Sequence, residues 1–489
     1  MLRLQHENSL YIDGSWEPVA EREDVVNPAT ARPFASAPVG GPDAAAAAVA
    51  AARAAFDTGP WPGLPARRRQ ELLTAFLDAL ARRRDEICAL IVAEAGAVAT
   101  MAATLQFAVP LKLARHVVEL TTRDPLTPLP PEVVPTPDGA SVGTGVVVRE
   151  PVGVVAAVTP YNVPFLLNVA KAVPAMAAGC TVVLKPSPYT PIEALVLGEA
   201  ADEAGLPPGV LNIVTGGADV GTVLTTHPDV DLVTFTGSDT VAESILAQAA
   251  PTLKRVVLEL GGKSAMIVRE DADLDRAAAE GLRGFTAHAG QGCQLPTRHL
   301  VHNTVRREYV ERVAALAAAL RIGDPADPEV QMGPLIREAA RERTARYVDV
   351  ALESGARLVT GGRRPDAGPG FFFEPTLFDG VDNASRIAQE EVFGPIGVVI
   401  GFDTDDEAVA IANDSRYGLS GGVHSRDTGR AYELALRLRT GGVGLNGGAG
   451  TILSAAPFGG IRRSGHGREF GIAGLDEFTY TKTISFRAA

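Results

Sequence analysis

Val152-Gly-Val-Val-Ala-Ala-Val-Thr159 begins a series of short apolar runs that decides the fold of this chain. Helical segments separate the runs from one another. Nearly continuous apolar strands that alternate with helices are typical of a parallel sheet covered on both faces. Further strands of the series are predicted at Thr181–Lys185, Val210–Thr215, Leu232–Thr236 and Arg255–Glu259, with helices at Pro164–Ala178, Pro191–Ala204 and Ala218–Thr226.

A second alternation of the same kind follows in the C-terminal half. Helices are predicted at Asp273–His288, Val305–Ala319, Leu335–Glu353 and Asp405–Asp414, and strands at Arg298–His302 and Gly442–Asn446. Two series of this type favour an α/β protein with two open parallel-sheet lobes. We place the join between the lobes near Gly261–Gly262.

Segments outside the two series are less regular. An alanine-rich helix is predicted from Pro42 to about Gly59, and a longer amphipathic helix from roughly Pro65 to Ala95. Asp124–Gly139 contains six prolines and cannot be a helix, so we expect an excursion or a linker there. Phe478–Phe486 alternates like a strand, and we expect it to pair with that excursion or with another subunit.

The composition narrows the class of protein. The chain has 489 residues, 46% hydrophobic and 21% charged, with a net charge of -13, which argues against a nucleic-acid-binding face. No apolar run of about 18 residues is present, so no membrane span is predicted. Cysteines occur only at positions 88, 180 and 293, which favours a reducing compartment and a cytoplasmic enzyme. No metal site is predicted.

One cysteine stands out by its neighbours, in the stretch His288-Ala-Gly-Gln-Gly-Cys293. Small residues around a thiol allow a substrate carbon to approach closely, and the carboxylate of Glu259 could activate water. Cys88 and Cys180 lie among apolar neighbours and are interpreted as inert. His288 is interpreted as a surface histidine of a helix, so it is not assigned as a partner of the thiol.

Three further motifs follow predicted strands: Pro160-Tyr-Asn162-Val-Pro164, Lys185-Pro-Ser187 and Phe235-Thr-Gly-Ser238. An asparagine in a rigid turn can donate to an oxyanion, and a helix start with glycine can bind a pyrophosphate. Each motif also has a structural explanation: a turn asparagine, a surface lysine, and an ordinary strand-to-helix junction without the G-x-G-x-x-G pattern. Their joint occurrence at strand ends favours the functional interpretation.

The ordered set of motifs resembles the aldehyde dehydrogenase superfamily over essentially the whole chain. Besides the three strand-end motifs, the set includes Glu259-Leu-Gly-Gly-Lys263, Gly290-Gln-Gly-Cys293, Glu390-Glu-Val-Phe393-Gly-Pro395 and Pro457-Phe-Gly-Gly460. The resemblance implies two Rossmann-like lobes and a small β element that bridges subunits. The cofactor lobe would comprise residues 1–123 and 146–261, the catalytic lobe 262–465, and the bridging element 124–145 and 466–489.

The resemblance also implies a reaction and its residues. Cys293 would attack the aldehyde, Asn162 and the Cys293 backbone N–H would hold the oxyanion, and hydride would pass to NAD or NADP. Glu259 would activate the water that hydrolyses the thioester, and Lys171 would support the site. Lys185 would bind the adenosine ribose, and the other implied cofactor contacts are Thr159, Pro160, Ser187, Gly217, Gly221, Phe235, Gly237, Ser238, Leu260, Glu391 and Phe393.

Two positions depart from the family pattern. Pro188 stands where the family often has a glutamate that chelates the ribose of NAD, so we expect relaxed or dual use of NAD and NADP. Ala242 stands where a glycine usually follows the phosphate turn, and its methyl group is expected to fit within the helix.

The implied substrate tunnel is mostly apolar and contains small residues where the family often has aromatic ones. It comprises Val163, Leu167, Ala170, Ala287, Gln294, Ile452 and Phe458. We therefore expect a bulky aliphatic or aromatic aldehyde as substrate. The bridging element that the resemblance implies predicts a homodimer or homotetramer as the assembly. The alternatives are a dehydrogenase that transfers the acyl group to coenzyme A, a catalytically silent binding or structural member, and a thiol hydrolase or amidase without nicotinamide.

Overall fold

The structure is a computed structural model, and it describes residue 6 and residues 8–137, 139–448 and 453–487. Its strands are β1 (Ser9–Ile12), β2 (Ser15–Pro18), β3 (Arg22–Asn27), β4 (Arg32–Pro38), β5 (Leu126–Thr136), β6 (Gly139–Pro151), β7 (Val154–Val158), β8 (Thr181–Lys185), β9 (Leu211–Ile213), β10 (Leu232–Thr236), β11 (Arg255–Glu259), β12 (Ala265–Val268), β13 (Arg298–His302), β14 (Arg357–Thr360), β15 (Thr376–Asp379), β16 (Ile396–Phe402), β17 (Ser420–His424), β18 (Gly442–Leu445), β19 (Gly465–His466) and β20 (Thr479–Arg487).

The helices cover the faces of the sheets. They are α1 (Pro42–Asp57), α2 (Ala66–Arg82), α3 (Arg84–Ala95), α4 (Ala99–Ala103), α5 (Val109–Leu120), α6 (Pro164–Ala178), α7 (Ile192–Ala204), α8 (Ala218–Thr226), α9 (Asp239–Ala249), α10 (Leu274–Thr286), α11 (Asn303–Ala319), α12 (Glu338–Glu353), α13 (Arg386–Gln389), α14 (Asp405–Asn413), α15 (Thr428–Arg437) and α16 (Gly471–Asp476).

The sheet of the N-terminal lobe has the strand order β19-β11-β10-β7-β8-β9-β1-β2. Its five central strands, β11, β10, β7, β8 and β9, run parallel to one another. β7, β8 and β10 are almost wholly buried because helices cover both faces of the sheet, as their apolar sequences predict. The expectation of a parallel α/β lobe here is confirmed.

The sheet of the C-terminal lobe has the order β14-β15-β16-β13-β12-β17-β18. Its pairs are parallel except for β14 with β15. Five strands of this sheet, β12 and β14 to β17, were not predicted from the sequence. β14 is largely exposed and β17 begins Ser-Gly-Gly, so neither has a continuous apolar run that would indicate a strand.

A third sheet lies outside both lobes and contains β20, β6 and β5 in that order. β5 corrects the expectation of an irregular excursion, because the proline-rich segment forms a strand of 11 residues. It is an edge strand with a register shift between Leu129 and Glu132, and prolines are tolerated at such positions. The C-terminal strand β20 pairs with β6 over its whole length, so its partner is the strand that follows the proline-rich segment.

Two further expectations about local structure are corrected. The predicted helix from Pro65 to Ala95 is two helices, α2 and α3, because the backbone leaves the helical region at Arg83 (φ -92°, ψ 18°). The side chain of Arg83 there contacts the buried carboxylate of Glu199 at 2.5 Å. The N-terminal strands β1 to β4 were not predicted, since they are short and two of them, β2 and β3, are mostly exposed.

Candidate active site

The predicted site residues follow strands that end at one edge of the N-terminal sheet. The registers pair Val158 with Lys185, Val158 with Phe235, and Thr236 with Glu259. The carboxyl ends of β7, β8, β10 and β11 therefore lie side by side. In open α/β sheets this edge is where ligands bind. The structure thus brings together the strand-end motifs that the sequence analysis treated as a set.

Cys293 lies on the loop that follows α10 and a short 3₁₀ turn at Ala287–Gly290. Within that turn His288 and Ala289 adopt positive φ angles of 50° and 53°. Gly290 also has a positive φ, and a side chain there would collide with the backbone of Gly394. Gly290 is therefore needed to pack this loop against the segment that contains Gly394.

The loop of Cys293 also packs against the segment between the two lobes. A Cβ atom on Gly262 would lie 2.5 Å from the carbonyl oxygen of Cys293. Burial raises the pKa of the Cys293 thiol to about 12, and the carboxylates of Glu391, Glu259 and Glu469 act in the same direction. The thiol is consequently protonated in this state, and a nucleophilic attack must include the loss of its proton.

Asn162 is the polar side chain that faces the loop of Cys293 from the N-terminal lobe. It is 4% exposed, and its Nδ2 donates to the carbonyl oxygen of Gln291 at 2.9 Å. Gln291 is itself buried, donates to the His288 carbonyl at 3.0 Å and accepts from the Ile336 N–H at 2.9 Å. These bonds hold the amide of Asn162 against Gln291, which lies two positions before Cys293 in the chain. The second N–H of the amide can there donate to an oxyanion.

His288 differs from its interpretation as a surface residue. It is 6% exposed and neither ring nitrogen has a hydrogen-bond partner within the described residues. Burial lowers the pKa of His288 to about 4, so the ring is neutral at pH 7. His288 is buried because α10 ends at Thr286 and the 3₁₀ turn directs the next residues into the lobe junction.

Glu259 ends β11 and is 2% exposed, yet both of its carboxylate oxygens lack a hydrogen-bond partner among the described residues. Burial raises the pKa of Glu259 well above its usual range, and the charge of Glu469 adds to the rise. A Cβ atom on Gly459 would approach its Oε1 to 2.5 Å, so that glycine leaves the carboxylate its space. A buried carboxylate with free oxygens can act as a base once it has lost its proton, and its raised pKa makes it a stronger base than an exposed carboxylate.

Lys171 lies behind Glu259 on α6 and is fully buried. Its Nζ donates to Glu469 Oε1 at 2.7 Å and to Thr234 Oγ1 at 3.1 Å. The sequence analysis missed Glu469, the partner in this buried ion pair. Glu469 is 298 residues away in the chain and belongs to no recognised motif, so no local signal could have indicated it.

Lys185 ends β8, and Thr159 directly follows the neighbouring strand β7. Lys185 is 5% exposed, and burial lowers its pKa to about 8 while the charge of Asp219 opposes that change. The N–H of Thr159 donates to the Lys185 carbonyl at 3.1 Å, which ties the two strand ends together. A Cβ on Gly221 would lie 3.7 Å from Lys185 Cε, so the helix α8 borders the lysine. The Ser187 side chain accepts from the Tyr189 N–H at 3.2 Å.

The strand-to-helix turn after β10 has the form of an anion site. Ser238 is the N-cap of α9 and its Oγ accepts from the Val241 N–H at 3.3 Å. Gly237 packs on the ring of Phe235, where a side chain would collide with it. Ala242 is buried within α9, as expected for its methyl group.

Two other predicted cofactor contacts lie on neighbouring elements. Gly217 is the N-cap of α8. Leu260 is buried directly after β11, and its N–H donates to the Ser464 carbonyl at 3.0 Å.

Glu391 and Phe393 border the site from the C-terminal lobe. Glu391 Oε1 accepts from the Gly262 N–H at 3.0 Å, and burial raises the pKa of this carboxyl to about 7. Phe393 has a positive φ of 55° and meets Tyr161 edge to face at 6.1 Å. The two residues therefore face the turn that carries Asn162, across the junction of the lobes.

Three of the predicted tunnel residues lie at the N-cap or on the first half of α6. Val163 caps the helix, and Leu167 and Ala170 follow at 7% exposure each. Ala287 and Gln294 flank the loop of Cys293 and are half-buried, as is Phe458, whereas Ile452 lies outside the described residues. Two residues that the sequence analysis missed, Leu113 and Phe470, cluster with Ala170. They border a small cavity whose lining is almost wholly apolar.

In the described part of the chain, no group of three or more His, Cys, Asp or Glu side chains is arranged to hold a metal ion. Among the same residues, no helix has both the length and the apolar character needed to cross a membrane.

Comparison with known proteins identifies relatives over the whole fold. A model of the aldehyde dehydrogenase family matches residues 16–484. The chain is 41% identical to 3-succinoylsemialdehyde-pyridine dehydrogenase of a Pseudomonas species over 480 residues, 97% of each protein. It is 39% identical to geranial dehydrogenase of Castellaniella defragrans over 485 residues, 99% of each.

Solved structures agree with this match. Betaine aldehyde dehydrogenase of Staphylococcus aureus in complex with NAD+ is similar with a TM-score of 0.93 and 35% identity, covering 98% of this chain and 95% of that one. A cysteine-to-alanine variant of aldehyde dehydrogenase C from Pseudomonas syringae, with NAD+ and octanal, gives 0.93 and 38% identity over 99% and 98% of the two chains.

Proposed function

The chain belongs to the aldehyde dehydrogenase family. We propose on that basis that it oxidises an aldehyde to the free carboxylic acid with NAD(P), and that Cys293 is the nucleophile. The observation that carries the proposal is the junction at which Cys293, Asn162 and Glu259 converge. The thiol lies in the loop to which Asn162 donates, and the charge of Glu259 acts on that thiol. The same residues are those implied by the sequence motifs.

The residues at the strand edge fit a dinucleotide. Gly217 and Ser238 cap two helices whose N-termini can face phosphate groups, and Lys185 lies beside the first of them. Glu391 and Phe393 would hold the nicotinamide end from the other lobe. When bound there, NAD(P) supplies the acceptor for the hydride. Thr159, Pro160, Ser187, Gly221, Phe235, Gly237 and Leu260 would complete the cofactor surface.

In the acylation half of the reaction, Cys293 Sγ attacks the carbonyl carbon of the aldehyde. Asn162 Nδ2 and the backbone N–H of Cys293 hold the oxyanion, since a donor fixed before the reaction need not reorganise during it. The thiol loses its proton to solvent water on attack, and Glu259 acts in the second half of the reaction. Departure of hydride from the carbon leaves a thioester on Cys293.

Hydrolysis completes the reaction. Glu259 takes a proton from water as the oxygen attacks the thioester carbon, and the carbon–sulfur bond breaks to release the acid and the thiol. Lys171 and Glu469 form a buried ion pair behind Glu259, and the charge of Lys171 opposes the rise in the pKa of Glu259. We therefore propose Lys171 as a group that holds the site together.

The buried carboxylate is also what separates hydrolysis from acyl transfer to coenzyme A. Glu259 has both oxygens available and sits at the end of β11, which supports water as the acceptor of the acyl group. Free acid as the product, identified by mass spectrometry with coenzyme A present, is the expected outcome. An acyl-CoA product would assign the chain to the transferring type instead.

For the substrate, we propose a bulky aliphatic or aromatic aldehyde. The described tunnel residues Leu167, Ala170 and Phe458 are apolar, and Leu113 and Phe470 extend that surface. Among the relatives, one is named for geranial and one was solved with octanal, which supports an apolar substrate for this chain as well. Each methylene group buried in such a tunnel contributes up to about 0.8 kcal/mol.

Three wider proposals accompany this function. As the motifs imply, the N-terminal lobe binds the cofactor and the C-terminal lobe contains the nucleophile Cys293. Three free thiols and no disulfide among the described residues support a reducing, cytoplasmic location. The sheet formed by β5, β6 and β20 exposes apolar side chains, among them Val133, Ile484 and Phe486, which supports a homodimer or homotetramer.

The decisive test of the function replaces the thiol. Cys293→Ser is expected to keep the fold and to lose on the order of a thousandfold or more in turnover, because a serine hydroxyl without a strong base is a poor nucleophile. NAD(P)H absorbance with a panel of aldehydes measures the activity. Cys88→Ser is the matched control, since that thiol lies on α3 away from the site and the variant is expected to retain full activity. Undiminished oxidation by Cys293→Ser would refute the proposal, and so would the absence of oxidation by the unmodified enzyme with every aldehyde in the panel.

A further inference from the structure

Asp219 lies at the ribose end of the cofactor surface, on the first turn of α8. The residue is exposed, and its Oδ1 would lie 3.1 Å from a Cβ on Gly217, the N-cap of the same helix. The side chain therefore turns back towards the start of the helix. It belongs to none of the motifs that indicated the function, and the sequence gives it no role.

The start of α8 is next to Lys185. α8 follows β9, which pairs with β8 in parallel, so the helix begins at the edge where Lys185 ends its strand. Gly221 of α8 approaches the lysine side chain closely enough that a Cβ there would lie 3.7 Å from Cε. The ammonium group of Lys185, the N-terminus of α8 and the carboxylate of Asp219 thus share one corner of the sheet.

The first two of these groups favour an anion. A helix N-terminus carries a partial positive charge, and a lysine adds a full one. A 2′-phosphate on the adenosine ribose, with close to two negative charges at pH 7, would be attracted to them. Pro188 removes the glutamate that the family often uses against such a phosphate, which is why the sequence alone favoured relaxed use of NAD and NADP.

The negative charge of Asp219 makes the same corner unfavourable for a 2′-phosphate. Its carboxylate in the first turn offsets the positive end of α8, and its charge already acts on Lys185, where it opposes the effect of burial on the pKa. A 2′-phosphate would meet this like charge at the surface, whereas the 2′-hydroxyl of NAD can donate a hydrogen bond to it.

We propose that Asp219 is the residue that makes this enzyme prefer NAD over NADP, in place of the carboxylate missing at position 188. The proposal rests on the proposed function and narrows its cofactor from NAD(P) to NAD. It assigns the discrimination to α8, whereas the family motif would assign it to the loop after β8.

Binding measurements test the proposal separately from catalysis. Titration calorimetry of the full-length protein with NAD+ and with NADP+ is expected to give a Kd at least about tenfold higher for NADP+. Asp219→Asn keeps the shape and removes the charge, so it is expected to lower the Kd for NADP+ about tenfold and to change the Kd for NAD+ little. Asp229→Asn removes the same charge beyond the other end of α8 and is expected to change neither value.

A second variant tests whether the two positions are equivalent. In the Asp219→Asn protein, Pro188→Glu is expected to restore the weaker binding of NADP+. Equal Kd values for the two nucleotides in the unmodified enzyme, or an unchanged ratio in Asp219→Asn at unchanged thermal stability, would overturn the role of Asp219. Binding of NAD+ without any oxidation of aldehydes would contradict the proposed function and leave the nucleotide preference standing. Binding of neither nucleotide would contradict both.

Discussion

Glu259 is a single residue whose burial changes its affinity for a proton. At the end of β11 the carboxylate is removed from water, and neither of its oxygens has a hydrogen-bond partner among the described residues. Because an ionised carboxylate without partners is destabilised in such a place, its affinity for a proton rises. Burial has thereby made this carboxylate a stronger base than an exposed one.

The variant Glu259→Gln is expected to separate the two halves of the reaction. Cys293 still forms the thioester, but the amide cannot accept a proton from water, so the acyl-enzyme accumulates. Rapid mixing with aldehyde and NAD+ is expected to show a burst of NADH close to one equivalent per active site, followed by a slow steady state. A steady-state rate equal to that of the unmodified enzyme would contradict the assignment of Glu259 as the base.

The pH dependence of hydrolysis follows from the same residue. Glu259 acts as a carboxylate, and burial raises its pKa well above 4.5, so the active form appears only at a correspondingly higher pH. The rate of hydrolysis of the acyl-enzyme is expected to be low near pH 5 and to rise with pH until Glu259 has lost its proton. Single-turnover release of the acid, measured across this range, tests the direction. A rate that falls as pH rises would contradict it.

At the scale of an element, the N-terminus of α7 buries two carboxyl groups that the reaction does not use. Glu94 accepts from the N–H groups of Ile192 and Glu193 at 2.7 and 3.0 Å, and Glu193 accepts from Asn168 at 2.6 Å. Asn168 in turn accepts from the hydroxyl of Thr159, at the cofactor edge, at 2.6 Å. The chain of bonds fixes the turn that leads to Asn162.

These carboxyl groups predict how stability depends on pH. Burial raises the pKa of Glu94 to about 8, and burial with the charge of Glu94 raises the pKa of Glu193 well above its usual value. For an acid whose pKa is raised on folding, the free energy of unfolding is highest below the unfolded pKa and falls as pH rises to the folded one. Glu193→Gln keeps the acceptor for Asn168 and is expected to flatten the decline in Tm above pH 4.5. An identical Tm profile would contradict the prediction.

Apolar residues on helices α5 and α6 are expected to set the length of aldehyde that the enzyme accepts. Ala170 is 7% exposed beside Leu113 and Phe470, so Ala170→Trp would fill the apolar end of the tunnel. We expect kcat/KM for decanal to fall about tenfold or more while that for propanal changes little. Propanal and the Tm of the variant serve as controls for folding and catalysis. Equal losses for the two aldehydes would show that the tunnel does not run past Ala170.

At the scale of the whole molecule, the sheet of β5, β6 and β20 has no hydrophobic core of its own. Its outer strands β5 and β20 are largely exposed, yet Val133 on β5 and Ile484 and Phe486 on β20 carry large apolar side chains at 72%, 49% and 53% exposure. Exposed apolar residues gathered on one small sheet are typical of a surface that another protein covers. A second copy of the chain is the partner we propose.

Ile484→Glu is expected to weaken that assembly, because a charge buried between subunits without a partner is strongly unfavourable. Sedimentation or light scattering measures the mass, which is expected to fall towards 51.0 kDa at low protein concentration. Leu436→Glu, a change of the same kind at a residue 71% exposed on α15, is the control and is expected to leave the mass unchanged. Unchanged mass in Ile484→Glu would contradict the role of this sheet.

The sequence by itself determined the parts of the fold that local patterns encode. β8, β10, β11 and α6 begin and end at the predicted residues, because continuous apolar runs and helical periodicity are properties of neighbouring positions. The order of the motifs likewise predicted a site that contains Glu259 and Asn162, since strand ends of a parallel sheet must meet at one edge, and it predicted Cys293 as their partner.

Tertiary structure alone decided what depends on residues distant in the chain. The strand β5 forms in spite of its prolines because β6 provides its hydrogen-bond partners on one side and the other side is an edge. His288 is buried because a turn directs it into the lobe junction, Glu469 pairs with Lys171 across 298 positions, and Asp219 reaches the corner of Lys185. Packing and electrostatics act through space, so the charge around each site residue is settled only when the chain has folded.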